Sequence, residues 1–177
     1  MTFSPSSRSR RLQERQAEAT EQFVTFRLHQ EWFALPVQSV QRVQLLGDVF
    51  GDPQRSGVSL TIYENQELLV VDVGHLIFKE APQPLEFLNT NLPTSRLTSP
   101  RFLIVLENTE GKLVGLPVDS KPTLRRFLAS AVKALPPTYT TAASLQCVSA
   151  LMIQEQDQKP IFLLQPDRLF NVQPMLG

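Results

Sequence analysis

Phe23–Leu28 alternates, with Val24, Phe26 and Leu28 on one side and Thr25 and Arg27 on the other, which is the period of a half-buried strand. His29-Gln30-Glu31 turns the chain and Trp32–Val37 runs back. Pro36 is expected at a strand end or edge, because it has no N–H to give to a ladder. Val40, Val43, Leu45 and Leu46 form a third apolar segment. Residues 47–57, GDVFGDPQRSG, are dense in turn formers and read as a loop. Val58–Ile62 and Glu67–Val71 make another hairpin over Glu64-Asn65-Gln66. About five short strands in roughly 50 residues suit a small barrel better than a βαβ unit.

The same plan returns in the second half. FVTFRLHQEWFALPVQS at Phe23–Ser39 is matched by FLIVLENTEGKLVGLPVDS at Phe102–Ser120, and the endings Leu-Pro-Val-x-Ser differ only at Gln38 and Asp119. Aligning Phe23 with Phe102 makes the second copy two residues longer, in the turn around Glu110-Gly111. Glu67–Phe78 (ELLVVDVGHLIF) and Pro160–Phe170 (PIFLLQPDRLF) also correspond: an apolar run, then Asp72 or Gln165, then a brief helical turn. Two blocks in matching order predict a duplicated module. Further strands are expected at Arg101–Glu107, Lys112–Val118, Lys121–Arg126, Gln146–Ile153 and Pro160–Leu164, with a variable loop over Ser130–Ser144. Residues 79–100 carry Pro82, Pro84, Pro93 and Pro100 and cannot hold a long helix. The predicted division is a polar tail over 1–22, a first barrel over 23–78, a connector over 79–100 and a second barrel over 101–177.

Charge and composition narrow the function. Lys plus Arg equals Asp plus Glu at 17 each, so no global field draws the chain to nucleic acid or anionic lipid. The single cysteine, Cys147, excludes an internal disulfide and a multi-cysteine metal site, and suits the cytoplasm. The N-terminus lacks the apolar core of a secretory signal, and no apolar run approaches the roughly 18–20 residues that cross a bilayer. The expected location is therefore the cytoplasm, without direct membrane insertion.

Motifs of catalysis are missing. Ser120 beside Asp119 lacks the Gly-x-Ser-x-Gly elbow, and His29 and His75 are the only histidines. Asp72 suits an N-cap on the turn that follows it. There is no His-x-x-x-His, Cys-x-x-Cys or phosphate-cradling glycine loop. Cys147 reads as a small buried hydrophobe, and Arg125-Arg126 is too small a basic patch for a nucleic-acid face. No catalytic, metal-binding or cofactor-binding residue is assigned. The residues describe a binding module. An enzyme working through Asp72, His75 and Asp119 is the alternative, which an open polar cleft joining the three would favour.

With these blocks in view, the chain resembles the CheW family of bacterial chemotaxis coupling proteins. FVTFRLHQEWFALPVQSVQRV is similar to the family's opening, ELLVVDVGHLIF to its Pro-Val-Ile-Asp-Leu block, and FLIVLENTEGKLVGLPVDS to its Val-Asp-Ser block. QCVSALMIQEQDQKPIFLLQPDRLF resembles its last strands and helix. The likeness spans Gln22 to Phe170. It implies a mainly β fold of two SH3-like five-stranded barrels, with short helical turns after Asp72 and Gln165. It also implies a non-enzymatic scaffold whose partners are the regulatory domain of a CheA-type histidine kinase and a methyl-accepting chemoreceptor.

Two departures from the family pattern stand together. Arg42 occupies the place of the family's glutamate in Val-Gln-Glu-Val, and Tyr63-Glu64-Asn65 replaces its Leu-Arg-Gly. Acid and base have traded places, so Arg42 and Glu64 are expected to face each other as an inverted ion pair. The partner-binding surface is expected on Val40, Arg42, Val43, Leu45, Tyr63, Glu64 and Asn65, with a groove between the barrels for a receptor helix. The reversed charges suggest a dedicated pathway, such as twitching motility or phototaxis. A CheW-fold adaptor for another signalling or pilus complex is the second alternative.

Overall fold

The computed structural model describes residues 18–51, 56–78, 101–140 and 147–172. The predicted connector over 79–100, and the predicted tail up to residue 17, lie outside those residues.

The first half forms β1 (Thr20–Leu28), β2 (Glu31–Pro36), β3 (Val40–Leu45), β4 (Val49–Phe50), β5 (Val58–Tyr63), β6 (Gln66–Val71) and the short helix α1 (Val73–Phe78). The second half forms β7 (Phe102–Glu107), β8 (Leu113–Val118), β9 (Thr123–Leu128), β10 (Val132–Ala134), α2 (Pro137–Thr140), β11 (Val148–Ile153), β12 (Ile161–Leu164) and α3 (Pro166–Phe170). The expected strands are present, and helical turns follow Asp72 and Gln165 as read. Each half also has a sixth strand in a stretch read as loop: β4 in the first and β10 in the second. Strands of two or three residues are too short to show a period.

The described strands form two sheets of six. Sheet A runs β10-β11-β12-β2-β1-β9 and sheet B runs β4-β5-β6-β8-β7-β3. The two orders become identical when β1 to β6 are placed on β7 to β12. The duplication therefore extends to topology, including a parallel contact at the same point of each sheet, β12 with β2 and β6 with β8. The exchange is reciprocal. The β1–β2 hairpin lies in the sheet built from β9 to β12, and the β7–β8 hairpin lies in the sheet built from β3 to β6. The division of the chain at 79–100 and the division into sheets thus differ. Alternation shows that a strand has a buried side but not which half supplies its neighbours.

Register also corrects the loop length. Val24 pairs Leu35, and Ile104 pairs Leu116. With Leu35 placed on Leu116, Val24 therefore falls on Ile104 rather than Leu103, and the second hairpin is longer by a single residue. That longer turn is organised by Asn108, whose Oδ1 accepts the N–H groups of Glu110 and Lys112 at 3.0 and 2.8 Å.

Pro36 ends β2, as its missing N–H requires, and its counterpart Pro117 lies inside β8. Both prolines fall beyond the parallel ladder, which reaches Ala34 in one sheet and Gly115 in the other. No second neighbour there needs their N–H.

Among the described residues the core forms three buried clusters. The largest lies between the sheets and takes Phe26, Leu28, Phe33 and Leu35 from sheet A, Ile104, Leu106, Leu116 and Val118 from sheet B, and Val73, Ile77, Leu169 and Phe170 from the two helices. Cys147 belongs to this cluster as well. Phe23, Ala34, Phe127, Ile153, Ile161 and Leu163 form a second cluster on sheet A. Tyr63, Leu68, Val70, Leu103 and Val105 form a third on sheet B. Gly115 is placed by the packing in sheet B. A Cβ there would meet Leu103 Cδ1 at 2.8 Å, closer than real contacts allow.

Candidate functional site

β3 and β4 are the two ends of sheet B in strand order, yet the sheet curls until β3 and the β5–β6 turn touch through side chains. Arg42 Nη1 donates to Glu64 Oε1 at 2.9 Å, and both side chains are more than half exposed, at 54% and 59%. The Arg42 guanidinium lies over the Tyr63 ring, 5.8 Å from its centroid. The Tyr63 hydroxyl donates to Gln41 Oε1 at 3.2 Å. Thr61 Oγ1 donates to the carbonyl of Asp48 at 2.7 Å, closing the next turn of the seam.

Local backbone explains how Glu64 reaches β3. Tyr63 pairs Gln66, leaving a two-residue turn in which Glu64 and Asn65 both have positive φ, 48° and 63°. This is the turn whose twist matches a right-handed hairpin. On the other side, a bulge between Val40 and Arg42 breaks the β3–β7 register. A bulge of this kind adds twist and re-aims the side chains beside it.

Strands of the sheet that carries the pair also expose apolar side chains. On β3, Leu45 is 60% exposed and Val43 is also exposed; on β4 and β5, Phe50 and Ile62 are exposed at 56% and 58%. Phe50 pairs Leu60 across the ladder, and Leu60 and Ile62 share one side of β5, so these three form one patch. Ordinary surface strands put such residues inward. Here Thr61 and Tyr63 take the inward side, at 3% and 5% exposure, and the aliphatic residues face solvent.

The expected contact residues therefore divide. Arg42, Val43, Leu45, Glu64 and Asn65 are all exposed. Val40 is half-buried and packs against the central cluster. Tyr63 is a core residue of sheet B that supports Arg42 from beneath, because its ring fills the interior that Thr61 is too small to fill. Phe50, Leu60 and Ile62 were not among the expected residues. Phe50 sits in a stretch that reads as loop, and the apolar alternation of β5 reads as core.

A second clasp occupies the corresponding place on sheet A. Arg125 on β9 donates from Nη2 to both oxygens of Glu155 at 3.0 Å, beside Phe127, whose ring centroid lies 4.7 Å from the guanidinium. Leu124 and Leu128 flank it, exposed.

Asp72, His75 and Asp119 do converge, through an intermediary. Asp72 Oδ1 accepts the His75 N–H at 3.0 Å, the expected N-cap, and its Oδ2 meets Arg101 Nη1 at 3.2 Å. Asp119 Oδ1 accepts from Arg101 Nε at 3.1 Å, and its Oδ2 accepts the His29 N–H at 2.7 Å. All four carboxylate oxygens are engaged in holding backbone or arginine. Ser120 Oγ likewise accepts the Arg27 N–H at 2.8 Å. The arrangement orients chain segments.

Cys147 is buried, and burial pushes its thiol above the ordinary range, with Arg168 opposing the shift. Among the described residues no group of three or more His, Cys, Asp or Glu side chains is placed to hold a metal ion, and no helix is long and apolar enough to cross a membrane.

Comparison with known proteins adds two findings. The family model described as the CheW-like domain matches residues 22–173. Among solved structures, the scaffolding protein TtCheW from Thermoanaerobacter tengcongensis matches with a TM-score of 0.64 at 18% identity, over 89% of this chain and 94% of that one. At that identity the likeness is one of fold. No curated protein matches the sequence.

Proposed function

The chain belongs to the family of CheW-like domains, and from that membership we propose that it is a non-enzymatic scaffold coupling a chemoreceptor to a CheA-type histidine kinase. The observation that carries the reading is the exposed face of sheet B. Leu45, Phe50 and Ile62 offer exposed apolar area on strands of this sheet, which also carries the Arg42–Glu64 pair. A flat apolar patch bordered by fixed charges suits a protein partner, since desolvated anchors supply affinity and the charges set register. The kinase regulatory domain is assigned to this face through Val43, Leu45, Phe50, Ile62 and the Arg42–Glu64 pair, with Asn65 at its border. A receptor helix is assigned to the margin of the inter-sheet cluster, where Phe78 and Tyr139 are exposed.

The reversed polarity of Arg42 and Glu64 gives the proposal its finer part: a dedicated kinase whose docking surface is matched to that order of charges. An exposed pair contributes only ~0–1 kcal/mol to stability, so its use lies in fixing the β5–β6 turn and selecting a partner. On this reading the protein works in the cytoplasm beside membrane-embedded receptors.

The test is a binding titration of the purified chain with the regulatory domain of the histidine kinase from the same cell, alongside one from a standard chemotaxis pathway. Tight binding to the first and at least tenfold weaker binding to the second supports both parts. Equal binding removes the matched-kinase refinement, and no binding to either removes the kinase.

A further inference from the structure

Three arginines among the described residues lie over an aromatic ring: Arg42 over Tyr63, Arg125 over Phe127 and Arg27 over Trp32. Two of them are also held by a glutamate. Arg42 reaches Glu64 at 2.9 Å, and Arg125 Nη2 reaches both oxygens of Glu155 at 3.0 Å. Among the described residues no carboxylate reaches the Arg27 guanidinium, and its Nε is buried without a hydrogen-bond partner. The strand fixes where this side chain stands. Val24, Phe26 and Leu28 fill the cluster between the sheets, so Phe23, Thr25 and Arg27 take the other side of β1. Phe23 is buried there in the second cluster, and the Thr25 hydroxyl donates to the Thr123 carbonyl at 3.1 Å. Arg27 ends that row. It pairs Trp32 across the ladder, and Trp32 packs against the second cluster. The Arg27 N–H donates to Ser120 Oγ at 2.8 Å, and its carbonyl accepts the Asp119 N–H at 2.9 Å. Neither nearby acid serves it. Glu31 alternates to the opposite side of β2 from Trp32, and the Asp119 carboxylate is engaged by Arg101 and the His29 N–H.

A half-buried charge without a counter-ion is unfavourable to a fold, and a buried N–H left unpaired adds to the cost. The face of the Trp32 ring offsets only part of it. Glu64 and Glu155 show how such an arginine is completed in this chain, and at Arg27 the completing group is absent from the described fold. We propose that Arg27 and Trp32 form a docking point on sheet A that takes a side-chain carboxylate from an acidic segment of a protein partner. Arginine and tryptophan are the side chains that most often dominate protein interfaces. Here the ladder and the second cluster hold Trp32, and Trp32 backs the guanidinium, so little freedom remains to be lost on binding. The planar fork suits a carboxylate gripped by two parallel hydrogen bonds. Lys121, exposed and next to Ser120, adds a second positive charge beside the site. The docking point belongs to the other sheet from the face assigned to the kinase, and it stands whether or not that assignment holds.

Trp32 is the one tryptophan of the chain, so its emission reports this point alone. The experiment titrates the full chain with a short peptide of alternating glutamate and alanine, and with its glutamine counterpart. Trp32 emission follows the unsubstituted chain, and calorimetry follows the variants. The expected result is a saturable change with the glutamate peptide that salt weakens, and none with the glutamine peptide. Arg27→Gln is expected to weaken binding about tenfold, and Arg27→Lys to recover part of it, since the charge returns without the fork. No saturable change in the unsubstituted chain, or equal binding by Arg27→Gln, overturns the proposal. A response to inorganic phosphate as strong as that to the peptide overturns the assignment to a carboxylate. Urea melts give a reading that needs no peptide. Arg27→Met is expected to keep or raise the midpoint, because no ion pair is lost, whereas Arg125→Met lowers it by leaving Glu155 alone. A fall in Arg27→Met as large as in Arg125→Met means that the charge is already paired within the chain, and overturns the proposal as well.

Discussion

Arg42 and Glu64 join two places that share no backbone ladder: the edge strand β3 and the β5–β6 turn, 2.9 Å apart at the nearest nitrogen and oxygen. Their attraction closes a seam in sheet B and leaves both charges half in water. A charge-reversal cycle isolates the pair from the rest of the surface. Arg42→Glu is expected to lower stability by up to about 1 kcal/mol and addition of Glu64→Arg to recover most of that loss, while kinase binding stays weak in the double variant because the order of charges is inverted. Urea melts on the four proteins read the coupling, and titration calorimetry reads the binding. Strictly additive losses would show that the two residues act separately.

Ile62 and Leu45 are exposed on strands of the same sheet as that pair, and neither belongs to a buried cluster. Ile62→Asp or Leu45→Asp is expected to leave the urea midpoint nearly unchanged, within about 0.5 kcal/mol, while reducing kinase binding by at least tenfold. Tyr63→Ala should do the reverse of this first effect, costing about 3–5 kcal/mol of stability because a buried ring leaves a cavity. Equal behaviour of the three variants in urea would contradict the inside-out reading of β5.

The contrast between Ile62 and Tyr63 shows where sequence reasoning reached its limit. Strand positions, the duplication, the Asp72 cap and the burial of Cys147 were legible, since each rests on a local pattern. The orientation of β5 was not. Val58, Leu60 and Ile62 alternate as a core-facing set, but only Val58 is buried, and Thr61 turns inward because the Asp48 carbonyl accepts its hydroxyl. That acceptor is supplied by a distant turn. The convergence of Asp72 and Asp119 on Arg101 was hidden for the same reason, since nothing local links the three.

Gly115 faces the Leu103 side chain in the interior of sheet B, where its counterpart in sheet A is the fully buried Ala34. Gly115→Ala is expected to destabilise the protein by about 1–3 kcal/mol through overpacking, despite the better strand propensity of alanine. A urea melt measures it. An unchanged or higher midpoint would mean that Leu103 moves aside without strain.

Cys147 should react slowly with a thiol reagent in the folded protein and quickly in denaturant, because burial disfavours its thiolate. The sign for stability follows from the raised value. The neutral thiol is the form the fold accepts, so this group's contribution is fully present below the ordinary thiol range and is lost as the pH climbs through the raised value. Cys147→Ala should accordingly flatten the alkaline limb of the stability–pH curve.

The hairpins that cross between sheets make the two halves dependent on each other. A fragment covering 101–177 would carry β9 to β12 with a gap where β1 and β2 belong, and its own β7–β8 hairpin would have no sheet to enter. Expressed alone, either piece should remain open and sticky. Expressed together from separate messages, they should complement one another into a nicked but working whole. Deleting or trading one half of such a chain takes away the central hairpin of the other half's sheet, so each copy holds the other's middle.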